Sequence, residues 1–292
     1  MKVFKKKFDN LNCWWCGSND LTKEHKAKNT DLKLLYGKTY NDKNIVSIID
    51  FRNKDKGKYL QSSGSKHVKF NPSICKSCNN SSSSAFDFAY EKFIKYYYNN
   101  KLTIVKSKTI NLYKVFGSDW RNQFLNVQRY IAEHFACRIV DFGYKPSKKL
   151  LGFINGREKN TDLKIVFQVK SYFFGEIDDP IEIIFLGPLN SINASQNKQP
   201  GVITSFSGWY TISNLSWHFL VEDNVLSNRS NDFLLDLDLI DYKDSNALEI
   251  EVNENNIERS WAKGIEKLEY SPFWGKDKDL DHYQWVKGYP IE

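Results

Sequence analysis

The sequence predicts an α+β chain in two parts, residues 1–100 and residues 101–292. Three observations predict it. Two Cys-x-x-Cys pairs, Cys13/Cys16 and Cys75/Cys78, bracket most of the first part. Charge divides along the chain: residues 1–110 carry 22 Lys+Arg against 9 Asp+Glu, and residues 111–292 carry 20 against 26. Apolar residues recur at helical spacing over 120–140, and the pattern turns β-rich from 163 onward.

At 292 residues the chain is long enough for a real core and for two domains. A composition of 41% hydrophobic and 26% charged residues is ordinary for a globular protein. Aromatics reach 15%, which is high, and several cluster: Trp14-Trp15, Tyr96-Tyr97-Tyr98, Trp209, Trp217 and Trp274. Core packing is the first reading of these clusters, and a base-stacking groove the second. A basic first half beside an acidic second half fits a first half that faces a polyanion, and equally a solvated lysine-rich surface. No run approaches the ~18 apolar residues of a membrane span. Residues 1–7 are charged but hold no apolar stretch of the secretory kind. A cytoplasmic protein without a membrane partner is therefore expected. Four of the five cysteines fall in pairs, which fits metal binding in a reducing compartment better than a disulfide framework. The fifth, Cys137, sits in a helical pattern and is expected to be a small buried hydrophobe.

Taken in order, residues 1–10 read as a basic arm or an edge strand. Residues 13–17 form a tight turn that Gly17 relieves. Residues 21–26 predict a short strand, with Glu24 and His25 on opposite faces or at its end. Residues 31–66 are a long insertion, with a strand at 45–51 and a turn at 54–58. Residues 67–70 alternate polar and apolar and predict a strand, and Pro72 holds the backbone extended before the second cysteine pair. The serines at 81–84 start a helix whose stripe is Phe86, Tyr90, Phe93, Ile94 and Tyr97, ending at Asn99-Asn100. A domain boundary is expected at 100–118. The helix at 120–140 carries Phe124, Val127, Tyr130, Ile131, Phe135 and Ile139, with Ser118-Asp119 as its cap and Gly143 as its stop. Strands are predicted at 163–174, 181–186, 202–209, 215–221 and 233–240, and a last helix at 255–268. His134 and His218 lie within these patterns and read as structural.

The chemistry concentrates before residue 100. Thiolates at i and i+3 on a tight turn reach one Zn²⁺, and two such turns complete a tetrahedron at ~2.3 Å per sulfur. The 58 residues between Cys16 and Cys75 exceed the usual spacing, but the entropy of closing a loop grows slowly with its length. Glu24, His25 and Asn79 remain beside that zinc site. Phosphodiester cleavage needs a base to activate water and a cation to hold charge on the phosphate and leaving oxygen. A histidine suits the base, and carboxylate and amide oxygens suit Mg²⁺ or Mn²⁺.

Cys-x-x-Cys, then Glu-His, then Cys-x-x-Cys-Asn resembles the ββα-metal, or HNH, endonuclease superfamily. It is most similar to the branch with a supporting zinc ribbon, as in endonuclease VII-type resolvases and bacterial restriction and defence nucleases. The resemblance covers residues 10–98. It implies an N-terminal zinc-stabilised ββα-metal domain over 1–100, followed by a mixed α+β domain over 101–292. It makes His25 the general base, with Glu24 and Asn79 holding the catalytic divalent metal. Asn71 corresponds to the asparagine that supports the base, a place for which His67 competes. The family's hairpin would join 21–26 to 67–70, and its helix would begin near Asn79. Asn80, Ser83 or Asp87 could complete the metal shell. The chain departs from the common pattern in having Glu where Asp is usual, Asn where His is usual, and a long insertion between the motif halves.

The implied reaction is hydrolysis of DNA, duplex DNA being the expected partner, in restriction or anti-phage defence. Lys5, Lys6, Lys7, Lys23, Lys26 and Lys28, with Lys54, Lys56 and Lys58, would meet the phosphate backbone. Residues 101–292 would supply specificity, dimerisation or regulation through a second copy, a protein partner or a small signal ligand. Cleavage of RNA or tRNA at the same site is the alternative, and a non-catalytic zinc-ribbon binding protein is another. An effector silent until its second domain is engaged is a third.

Overall fold

The computed structural model describes residues 11–40, 46–48, 58–107, 109–158, 163–169, 186–187, 193–196, 203–212, 215–222 and 249–251. The basic arm at 1–10, the strand expected at 233–240 and the helix expected at 255–268 lie outside them. No helix among the described residues is long and apolar enough to cross a membrane.

The chain opens with the cysteine turn and passes into β1 (Leu21–Thr22). β1 pairs antiparallel with β4 (Ile74–Cys75), in the register Leu21↔Cys75 and Thr22↔Ile74. The two segments meet again at the bridge His25↔Lys69, where Lys26 N–H donates to Val68 O (2.7 Å) and Phe70 N–H to Glu24 O (2.8 Å). Pro72, which has no N–H to give, falls between the two stretches of pairing. Between these strands lie α1 (Asn29–Tyr36) and the hairpin of β2 (Val46–Ile48) with β3 (Lys58–Leu60). The strand expected at 67–70 is only partly formed. Lys66–Val68 is a 3-10 turn, because Ser65 Oγ accepts the His67 N–H and caps it, and extended backbone resumes at Lys69.

After Cys75 the backbone winds through a wide π-turn, Ser77–Ser82, into α2 (Ser84–Ser107). The serines do begin a helix. Asn99-Asn100 does not end it, because the Asn100 amide donates to Tyr96 O (2.8 Å) and the helix continues. β5 (Thr109–Asn111) pairs with β11 (Glu249–Glu251). α3 (Leu112–Phe116) is capped by Asn111, which accepts the Lys114 N–H (2.9 Å).

α4 (Trp120–Asp141) follows the expected bounds closely. Its cap differs: Asp119 accepts from the side chains of Asn122 and Gln123 and from no backbone N–H. Gly143 ends it at φ 94°, the left-handed region that glycine enters without strain. The stripe proves too narrow a description. Every residue from 130 to 140 is buried, Cys137 among them as expected. A helix buried all round must be covered on every side.

The cover comes from four directions. α2 brings Tyr90 onto Tyr130 (3.9 Å between ring centres) and Phe93 onto Phe124 (6.2 Å). α5 (Lys148–Ile154), capped by Ser147, packs along it. Phe70 meets His134 edge-on at 5.6 Å. An antiparallel sheet covers the last side, in the order β6 (Leu163–Val169), β10 (Leu215–Glu222), β9 (Ile203–Ile212) and β7 (Leu186–Gly187), with β8 (Asn193–Gln196) also paired to β9. Leu163, Ile165 and Phe167 on β6 and Leu215, Trp217, Phe219 and Val221 on β10 are buried, each set on one face of its strand. Phe219 meets Phe135 at 4.3 Å.

One buried cluster therefore runs from Cys13 to Val221, and residue 100 falls inside α2 rather than in a linker. A fragment of residues 1–100 should not fold cooperatively, since the cut removes α4 from beneath Tyr90 and Phe93. A broad, shallow melt of the fragment by circular dichroism is the expected result, against a sharp one for the full chain.

Asp31 ties this core together. Its Oδ2 accepts from Tyr90 OH (2.8 Å) and Tyr210 OH (3.5 Å), joining α1, α2 and β9, while Oδ1 has no partner among the described residues. Burial pushes its carboxyl up to about 7. The folded state then keeps a proton that the unfolded chain releases near 3.8. Stability from this group is present below about pH 4 and declines as pH rises toward 7, by at most ~1.4 kcal/mol per unit. Asp31→Asn should flatten that decline in urea melts at pH 5 and 8.

Candidate metal centre and the carboxylate cleft beside it

The four paired cysteines converge. Their Sγ atoms all lie within 4.8 Å of one another, with Cys16 and Cys75 at 3.5 Å. Local backbone explains the convergence. Cys13 N–H donates to Ser18 O (2.6 Å) and Gly17 N–H to Cys13 O (2.8 Å), with Gly17 at φ 85°. Trp14 N–H donates to Ser73 O (3.0 Å), which holds the first turn against the strand that carries Cys75. Cys78 N–H then donates to Cys75 Sγ (3.4 Å) on the second turn.

Four thiols so close cannot all ionise alone. Burial pushes the Cys75 thiol up, but the Cys78 amide and the neighbouring thiols outweigh it and bring it down to about 7. Burial, with Cys16 and Cys75 beside it, drives Cys78 the opposite way. A divalent cation lets all four be thiolates. The cluster can hold a metal ion such as zinc.

Glu24 and His25 follow on the segment that this turn fixes. Glu24 Oε1 accepts the His25 backbone N–H (2.8 Å). Its carboxyl lines a small cleft with Ser83 and Asp87 of α2 and Tyr130, Glu133 and His134 of α4. Burial pushes Glu24 up to about 7, helped by the charge of Asp87 and opposed by the His25 N–H. Burial, then the charges of Glu24 and Asp87, push Glu133 well above the carboxylate range.

His25 is half-buried. Burial, then the charges of Lys69 and Lys28, lower its imidazole to about 4, so it is neutral at physiological pH. Its carbonyl is bonded to His134 Nε2 (2.9 Å), and that ring is held by Tyr130 and Phe70. His134, expected to be structural, holds the backbone of His25 and also lines the cleft. His218 lies in β10.

The remaining residues singled out from the sequence take varied places. Asn79 is half-buried in the π-turn one turn before Ser83, and its carbonyl accepts from Ser83 Oγ (2.9 Å). It does not line the cleft, whereas Ser83 and Asp87 do. The Asn71 amide donates to Asp141 Oδ1 (2.9 Å) at the end of α4 and not to His25. His67 is exposed, and Asn80 donates to Lys76 O (3.0 Å). Lys23 is exposed, but Lys26 pairs with Asp141 (3.7 Å). Lys28 pairs with Asp87 and with Glu91 (3.5 Å for the latter). Lys5, Lys6, Lys7, Lys54 and Lys56 lie outside the described residues.

Sequence reasoning passed over Tyr130 as core and did not single out Glu133. A signal was present. Glu133 stands three residues after Tyr130 and four before Cys137, on a line of otherwise buried positions.

No protein-family model matches the chain, and no curated protein and no solved structure matches it. What the described residues define is an α+β protein with a four-cysteine cluster able to bind metal, and a carboxylate cleft next to it.

Cys16→Ser should abolish zinc binding without disturbing packing, because Cys16 is the exposed member of the four. Elemental analysis should find about one zinc per wild-type chain and none in the variant. The melting temperature should fall by ~10 °C or more, since a structural zinc carries folding energy. Cys137→Ala should keep the metal.

Proposed function

We propose that this protein is a metal-dependent endonuclease of the HNH type that hydrolyses DNA phosphodiester bonds, in the setting of restriction or anti-phage defence. One observation carries the reading. The segment bearing Glu24 and His25 pairs antiparallel with the segment that enters Cys75–Cys78, and Glu24 faces the helix that follows. Strand, strand and helix thereby meet beside the cysteine cluster, the arrangement that the motif resemblance implies.

The donors suit the chemistry. Glu24 and Asp87 offer carboxylate oxygens, and Ser83 a hydroxyl, which are the ligands a hard cation such as Mg²⁺ or Mn²⁺ prefers. Such a cation, when bound, supplies charge stabilisation on the scissile phosphate and the departing 3′-oxygen. His25 is neutral and half-buried, so it can accept a proton from the attacking water. His134 holds the His25 backbone in place through its carbonyl. Lys23 is exposed, where it can meet the phosphate backbone, a sequence-independent contact. The reaction leaves a 5′-phosphate.

The test compares purified wild type with His25→Ala on supercoiled plasmid, linear duplex, single-stranded DNA and RNA, with Mg²⁺, Mn²⁺ or EDTA. Metal-dependent DNA cutting should fall by ~10²-fold or more in the variant, the usual contribution of a general base. Zinc content and melting temperature should stay unchanged. Cutting of RNA alone would move the substrate class to RNA. No cutting by wild type, or equal cutting by the variant, would overturn the reading.

A further inference from the structure

Three carboxylates from three separate elements face one cleft: Glu24 after β1, Asp87 on α2 and Glu133 on α4. Each behaves differently. Glu24 has one oxygen engaged, by the His25 N–H. Asp87 is paired with Lys28 and accepts from Ser83 Oγ (3.4 Å). Glu133 is 4% exposed and has neither a hydrogen bond nor an ion pair with any described residue. A buried carboxyl without a partner is expensive to keep, and a cleft wall is where its desolvation can be offset by a ligand.

The charges do not balance as they stand. Lys28 is the cation in contact, and it already divides its charge between Asp87 and Glu91. Lys69 is felt at Glu24 only through its field. Among the described residues no amide or guanidinium side chain lines the cleft to donate to Glu133; besides Glu24 and Asp87, Tyr130, His134 and Ser83 line it. His134 is committed to the His25 carbonyl. With Glu24, Asp87 and Glu133 ionised, Lys28 cannot neutralise all three, because it is also paired with Glu91, and a divalent cation would take up the excess negative charge. The oxygen-only character of the three side chains selects a hard ion over zinc, whose thiolate site lies elsewhere. Among the described residues only the cysteines are already gathered to coordination distance. The three carboxylates line the cleft without being gathered to that distance.

We propose that Glu133 is a ligand of a divalent-cation site formed with Glu24 and Asp87, so that α4 completes a site begun by the Glu24-His25 motif. The inference deepens the nuclease reading by naming a ligand from outside the motif, and it rests on that reading for the cation's purpose but not for its binding. The site then spans both halves of the chain. This explains why a buried acid occupies a position in α4 that an apolar residue would fill at lower cost.

The experiment uses the full chain with zinc retained and titrates Mn²⁺, following the electron paramagnetic resonance signal of the free ion. Wild type should take up one Mn²⁺ beyond its zinc. Glu133→Gln should weaken that binding at least ~10-fold, as Glu24→Gln should, while Glu158→Gln in an exposed loop should leave it unchanged. Glu133→Asp, which keeps the charge but withdraws it by one methylene, should bind several-fold more weakly than wild type and guards against a failure of Glu133→Gln to fold. No Mn²⁺ bound by wild type, or binding that depends on Glu24 but not on Glu133, would overturn the proposal and leave Glu133 a protonated core acid. Mn²⁺ bound as expected without any nuclease activity would instead sink the nuclease reading alone. DNA cutting that persists in Glu133→Gln with unaltered Mn²⁺ binding would do the reverse.

Discussion

The structure depends on burying α4 from every side. Residues 130–140 leave no face for solvent, so each neighbouring element is placed by the need to cover one. α2 covers Phe124 and Tyr130, β10 covers Phe135, and Phe70 from the cysteine-bearing half covers His134. Each such aromatic contributes on the order of 3–5 kcal/mol through packing and burial. The consequence is that the motif-bearing segment does not stand alone. His25 is held by a hydrogen bond from the helix that a sequence division would assign to another domain.

A central helix that carries polar residues must also answer for them. Arg138 is 2% exposed and bonds the carbonyl of Trp209 (3.5 Å) while lying over Tyr210 and Phe219. Its guanidinium is lowered to about 10 by burial. His134 is neutral for the same reason, lowered to about 3. Glu133 finds no such partner among the described residues and lines the cleft. Polar groups on one helix thus take three fates, set by what each neighbouring element can offer in hydrogen bonds or rings.

The cysteine cluster solves a different problem, that of joining two segments with 58 residues between them. Loop closure costs only ~0.6 kcal/mol more for each doubling of length. The strand pairing of β1 with β4 works against that cost, and a metal held across both turns would add to the pairing. Between them the insertion builds α1, which returns Asp31 to the main core through Tyr90 and Tyr210. The insertion is therefore part of the scaffold behind the cleft and not a loop hung from its edge.

Much of this was legible in the residues. Cys-x-x-Cys twice named the metal-binding group, because i,i+3 spacing on a turn is a local property. The helix at 120–140 and the strands at 202–209 and 215–221 were legible because period is local too. The strand at 67–70 was misread, since a serine cap competes with alternation over so short a stretch, and the end of α2 was missed because Asn99 and Asn100 do not stop a helix that packing continues to reward. The sequence by itself determined the two cysteine pairs that can hold a metal, the Glu-His pair and the α+β class. Only the tertiary structure decided that α4 lies under both halves, and that Glu24 faces Asp87 and Glu133 rather than Asn79. Which long-range faces meet depends on covering the buried stretch 130–140 of α4 on every side, and no local pattern of residues encodes that.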